Sequence, residues 1–385
     1  MKPVVTISGG GIIGCYISLR LDSYDIDSLI IEKSINRTAS KEKIRTLTLN
    51  PHSKKLLDDL GIYVEKAKIK KINVIDGEGS GQIDFSSTDI NSENLSYVVF
   101  FDDLQSALQD SVIDKTLYET QIQDIQDNDI NNPCEVMLSD KQKLSTQLVA
   151  GCDGRNSNVA RISGLEPMIG DYQQTAVTFV ASCDLEDLNI AHQIFSEKGI
   201  FAIMPLPECS EQSTHTIVWS IDNSKILNQT PQDYVKENIS YFEEKLGIKI
   251  NIHSNILSFK LVNHHFETYV SDSIVLIGDA AHSIHPLAGQ GINLGFADAD
   301  VFCEELINAF EEKMLIDKRL ILKKYEIRRK NMNHIMLKSM DFFVDLFRSE
   351  NLYIKLLRNI GLSGVNKTEF LKNFFISHAS GKNKI

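Results

Sequence analysis

The sequence of 385 residues predicts an α/β fold: a parallel-sheet domain divided along the chain, an inserted α+β domain and C-terminal helices. Three observations carry this. Apolar runs at 29–31, 148–150 and 274–277 each end in an acid, Glu32, Asp153 and Asp279, with glycine close by. Such acid-tipped strands belong to open α/β sheets, which hold polar ligand groups at their carboxyl ends. From 172 to about 270 the texture changes to alternating strands around one helix; 315–330 is charged and helical, and apolar residues then recur at helical spacing over 336–347, with more apolar surface at 352–360 and 370–376.

The first element is a β-branched run at 4–8 that breaks into Gly9-Gly10-Gly11-Ile12-Ile13-Gly14. Ile13, Ile17 and Leu21 then share a helix face, and Glu32 closes the next strand 18 residues after Gly14. A Gly-x-Gly-x-x-Gly turn between strand and helix lets pyrophosphate approach a helix amino-terminus, and the acid accepts from a ribose hydroxyl. Glu32 would repel a 2′-phosphate, so the reading is a Rossmann-type domain for an adenine dinucleotide without that phosphate, as in FAD, with Gly9, Gly11 and Gly14 at the pyrophosphate. Only one such fingerprint is present, so one dinucleotide has a dedicated fold.

Arg45 precedes a helix over 51–60. The stretch 66–90, with Gly77, Gly79 and Gly81, reads as a hairpin excursion, and a helix over 103–113 carries Gln105. Residues 116–132 read as a strand with a loop, and 148–157 as a strand whose Asp153 serves a ligand or caps a helix. Strands are expected at 175–183, 193–204, 215–221 and 256–262, with a helix over 231–246. The strand at 274–277 leads through Gly278, Asp279, His282, His285, Pro286, Gly289, Gln290, Gly291, Ile292 and Asn293 into a helix over 296–310. Its glycines let backbone N–H groups approach a flat or anionic ligand, and a helix amino-terminus favours negative charge on a reduced ring. The expected division is 1–66, 97–170 and 271–320 for the FAD-binding domain, 67–96 and 171–270 for the substrate domain, and 321–385 for the terminal helices.

A hydrophobic fraction of 42% without an apolar run of ~20 residues fits a globular chain. The first strand begins too early to leave room for a signal peptide, so a cytoplasmic place is expected, with contact at the inner face of the membrane open to the basic stretch 323–330. A net charge of -12 argues against nucleic acid. Six cysteines without Cys-x-x-Cys spacing indicate neither disulfides nor a metal site, and His264-His265 reads as a solvated pair at a strand start.

The stretch 278–295 resembles the second flavin-binding signature of the single-component FAD-dependent aromatic hydroxylases, most closely the ubiquinone-biosynthesis hydroxylases: Gly-Asp-Ala-Ala-His-x-x-His-Pro-x-Ala-Gly-Gln-Gly-x-Asn-x-Gly is matched at every fixed position. Residues 148–157 resemble the family's Ala-Asp-Gly-x-x-Ser segment, with Cys152 in place of alanine. The chain departs from the family at Lys43, where an aspartate precedes the arginine, and at Phe100-Phe101, where a Glu-Asn pair is usual. The resemblance implies FAD reduced by NAD(P)H, addition of O2 to give a C4a-hydroperoxide, and hydroxylation of a phenol, here a polyprenylated one in ubiquinone biosynthesis.

It further implies that Arg45 and Gln105 contact the flavin, that Asp279 serves its ribityl or pyrophosphate region, and that 286–293 flank the ring. His285, Pro286 and Gln290 then stand nearest the chemistry. His282 and His285 titrate in the range for a phenol-deprotonating base, though a loop-locking hydrogen bond is the preferred reading. Phe195, Met204, Pro205 and Trp219 match apolar places of the family's substrate pocket. Rival readings are an epoxidase, halogenase or prenyl reductase of the same fold, or a flavin-holding accessory subunit without turnover. Partners left open are a biosynthetic complex, a homo-oligomer and a membrane surface.

Overall fold

Four apolar runs too short and too uniformly buried to alternate in polarity form the centre of the first sheet. In the computed structural model, which describes residues 2–35, 42–127, 132–207, 214–283, 291–311 and 317–348, Ile274–Leu276, Leu148–Gly151, Val5–Ser8 and Ser28–Ile31 lie side by side and parallel. Ile7 stands between Ala150 and Ile30, and Ala150 pairs Val275. Thr116–Leu117 extends one edge in parallel and Val270–Ser271 the other in antiparallel sense.

Seven helices are described: α1 Ile12–Asp22, α2 Pro51–Asp59, α3 Phe101–Ser111, α4 Asn158–Ile162, α5 Pro231–Leu246, α6 Gly291–Glu311 and α7 Lys318–Arg348. α1 packs on both α3 and α6, and α7 on α6. The largest core lies here, and Ile122, Val136, Leu138 and Leu144 of a three-stranded antiparallel sheet contribute to it.

The second large sheet runs, in order, His282–Ser283, Leu257–Phe266, Pro167–Cys183, His215–Asp222, Gly199–Pro205, Ile190–Ser196, Lys71–Asp76 and Gln82–Ser86, with Ile250–Ile252 beside Pro167–Cys183. Only Ile190–Ser196 and Lys71–Asp76 pair in parallel. α5 begins at Pro231 with the Thr230 hydroxyl accepting from Asp233 N at 3.1 Å, and ends at Gly247 in the left-handed region. Its Tyr234, Val235 and Phe242 cover the back of the sheet, where Phe242 stacks on Phe201 with centroids 4.1 Å apart.

Several expectations are corrected. The strand expected at 193–204 is two strands joined at Glu197-Lys198, and Gly199, with φ 119° and no room for a Cβ against the Ser220 carbonyl, makes that turn. Pro167–Cys183 crosses the boundary expected at 170/171, and α7 crosses 320/321. His264 and His265 close their strand and are 3% and 8% exposed, because His282–Ser283 pairs with them; burial pushes both imidazoles down to about 4.

Candidate active site

Because their strands are neighbours, Glu32, Asp153 and Asp279 emerge together at one edge of the parallel sheet. All three line a single cleft of ≈ 620 Å³. Gly9 makes the turn into α1 with φ 104°, and a Cβ there would lie 2.5 Å from the Cys152 carbonyl oxygen. Gly11, the N-cap of α1, has open space around it and no side-chain cap, so the helix presents bare N–H groups to the cleft. Gly14 faces inward, where an added Cβ would fall on the Gly9 carbonyl oxygen, and serves close packing of helix and strand. Glu32 is fixed by Gly10 N at 2.7 Å and Ser34 N at 2.8 Å.

Asp153 caps a helix with one of its oxygens. One oxygen accepts from Asn158 N at 2.9 Å and Val159 N at 3.2 Å, capping α4, while the other is buried and has no hydrogen-bond partner among the described residues. Asp279 stands exposed on the cleft floor, yet the protein mass around that floor pushes its carboxyl above the usual range, against the pull of His282, Arg155 and Arg45. Arg45 lies over the Phe101 ring at 4.2 Å and lines the cleft with Gln105. Lys43, which replaces the family's aspartate, pairs instead with Asp103 of α3 at 2.7 Å.

Gly278, with φ 63°, packs against Gly295, which lets α6 begin at the cleft. The helix is already formed at Gly291, ahead of the expected 296, and Gly291 and Ile292 line the cleft. The Asn293 side chain does not face it: Oδ1 accepts from Asn50 N at 2.9 Å and Nδ2 donates to Thr48 O at 2.8 Å. Asn293 is therefore a tie between α6 and the entry to α2. Asn293→Ala is expected to cost about 1–3 kcal/mol through these two buried bonds, read in urea unfolding, with a smaller loss in flavin affinity.

His282 has a structural setting. Its Nε2 lies 2.6 Å from Asp298 Oδ2, both side chains being buried. His285, Pro286, Gly289 and Gln290 lie outside the described residues.

The wall opposite α1 is the inner face of the second sheet. Strand alternation puts Gln193, Ile200, Ala202, Met204, Val218, Ser220 and Thr178 on the cleft side. Met204 is held there by the Thr48 hydroxyl, 3.6 Å from its sulfur. Phe195 stands on the same face of the sheet, packed against Tyr172, Ile200 and Leu261. Trp219 and Pro205 are corrections: their strands point them to the other face. Trp219 is wholly buried under α5, its indole N–H donating to Lys198 O at 2.9 Å. Sequence reasoning also passed over Arg155, which lines the cleft, and Gln109, whose amide holds Gly10 O at 2.8 Å.

These residues fit an adenine dinucleotide of the FAD type. Gly11 leaves open the cradle that a side chain would fill, and the Asp153 oxygen without a partner among the described residues can accept from a ligand hydroxyl. Among the described residues no helix is long and apolar enough to cross a membrane. The FAD binding domain family matches residues 2–339. The chain is 26% identical to the 3-demethoxyubiquinol 3-hydroxylase of Escherichia coli (strain K12) over 98% of both chains. It is 26% identical to the mitochondrial ubiquinone biosynthesis monooxygenase COQ6 of Dictyostelium discoideum, over 98% of this chain and 91% of that one. In fold it is similar to the p-nitrophenol 4-monooxygenase PnpA from Pseudomonas putida DLL-E4, with TM-score 0.78, 14% identity and full coverage of both chains. With the family match running over residues 2–339, most of its length, the chain belongs to the FAD binding domain family.

Proposed function

We propose that this chain is a FAD-dependent monooxygenase that uses NAD(P)H and O2 to hydroxylate an aromatic ring in ubiquinone biosynthesis. The observation that carries the reading is the continuity of one cleft, from Glu32 over Gly11 and Asp279 to the largely apolar wall of Ile200, Ala202, Met204 and Val218. Bound FAD would supply the redox chemistry: two electrons from the nicotinamide, with one oxygen atom of O2 entering the ring and the other leaving as water.

The residues of the chain bind and orient. Glu32 holds the adenosine ribose, and Gly9 and Gly11 admit the pyrophosphate to the start of α1. Asp153 and Asp279 take ligand hydroxyls, while Arg45 and Arg155 place positive charge where phosphates would lie. The start of α6 puts N–H groups at the junction of the two halves, where a reduced ring would carry negative charge. The sheet wall excludes water from the ring to be hydroxylated. Similarity to the two ubiquinone-pathway proteins supports a ring with an apolar tail as substrate.

The test is to purify the protein, record its visible spectrum, and follow anaerobic bleaching by NADH and NADPH with and without a prenylated phenol. The expected result is bound FAD whose reduction accelerates with the phenol. A protein that gains no flavin on reconstitution would overturn the reading, and one that holds FAD but never oxidises NAD(P)H would mark an accessory subunit.

A further inference from the structure

We propose that Gln193 selects an oxygen substituent on the aromatic ring bound in the cleft, an inference that rests on the function proposed above. Gln193 lies on the cleft face of Ile190–Ser196 and is 9% exposed. Its same-face neighbours are all apolar: Ala191 and Phe195 along its own strand, Ala202 across one flank and Val74 across the other. Among the described residues its amide has no hydrogen-bond partner.

Such an isolated amide carries a meaning that its neighbours do not. An amide that faces the cleft with no partner among the described residues is open to a ligand, and a bound ring that displaced its water without replacing that hydrogen bond would leave it unmade at a cost. The amide also has two donors and an acceptor with two lone pairs, so it can engage a phenol as donor or as acceptor. A serine or threonine hydroxyl, by contrast, can satisfy itself on nearby backbone.

The row across the sheet gives the dimension of the site. Gln193 pairs Ala202, Ala202 pairs Val218, and Val218 pairs Thr178. Strands stand about 4.8 Å apart, so Gln193 and Thr178 bracket a shelf roughly 14 Å wide between α-carbons. Its floor is the small Ala202 with Val218. After the reach of both side chains, that width suits one ring lying on the floor with an oxygen turned to Gln193.

The experiment uses flavin-loaded protein and calorimetric binding of three ligands with one short alkyl tail: an alkylphenol, its methyl ether and the alkylbenzene. Wild type is expected to bind the phenol about 10–100-fold more tightly than the alkylbenzene. Gln193→Leu, close in volume, is expected to bring that ratio near one, with alkylbenzene binding retained and the ligand-free unfolding midpoint unchanged or raised. A purely structural glutamine would lower that midpoint instead. Gln193→Asn, which keeps the amide but withdraws its reach, is expected to give an intermediate ratio and covers the case in which the leucine variant does not fold. Persistence of the full phenol preference in both variants would overturn the proposal and leave the cleft reading standing. Failure of wild type to bind any of the three would overturn the cleft reading itself, and this proposal with it.

Discussion

Gly14→Ala is expected to destabilise the fold by about 3 kcal/mol and to yield protein without flavin, whereas Gly11→Ala is expected to fold normally and lose flavin alone. The two glycines differ in what an added Cβ meets. At Gly14 it would be driven onto the backbone carbonyl of Gly9 and approach Ile7 Cγ2 at 3.2 Å, so strand Val5–Ser8 and α1 must separate. At Gly11 it meets no atom within 4 Å, because the space beyond it is the cleft. The methyl group there would occupy the approach of a pyrophosphate, and the flavin should bind at least roughly tenfold more weakly, the equivalent of ~1.4 kcal/mol. Urea unfolding and flavin titration of the two variants separate these effects. Equal stability losses in both would refute the assignment of Gly11 to ligand contact.

Those glycines were legible in the sequence because strand, turn and helix must follow one another there for the fingerprint to have meaning. The helix Pro231–Leu246 was legible for a similar reason, with threonine and proline at its start and glycine at its end. Trp219 was not. Its strand is buried on both faces from His215 to Ile217, and Thr216 and Ser220 are as buried as their apolar neighbours. Without a period-two contrast, nothing in the sequence says which face meets the cleft. Asn293 misled in another way: a polar residue among glycines resembles a ligand contact, and only the tertiary approach of Thr48 and Asn50 shows it to be a tie. Gln193 escaped notice because an isolated glutamine in an apolar strand carries no motif, and its meaning depends on the strands placed beside it.

The second large effect is expected at Asp298, a residue that no motif singled out. Its carboxylate is wholly buried and gathers three segments of the fold: His282 Nε2 at 2.6 Å, Arg329 Nε at 2.7 Å and Asn333 Nδ2 at 2.9 Å, with Gly278 N at 3.3 Å. It thereby fixes the cofactor loop and α7 to α6. Burial works to raise this carboxyl, but His282, Arg329 and the hydrogen bonds outweigh it and hold it well below the usual range. Removing one member of such a buried network leaves the others uncompensated, so Asp298→Ala is expected to cost about 3–5 kcal/mol. The sign of the pH dependence follows. A carboxyl depressed in the folded state stabilises fully above its unfolded pKa, near 3.9, and the stabilisation fades as pH falls below that value. Wild-type stability should therefore drop steeply below about pH 4, and Asp298→Asn, less stable at neutral pH, should show a shallower decline. Unfolding midpoints of both proteins between neutral pH and pH 3 give the comparison. Parallel curves would mean that Asp298 is not the group whose protonation releases the loop, and the hold on His282 would then have to come from elsewhere in the network.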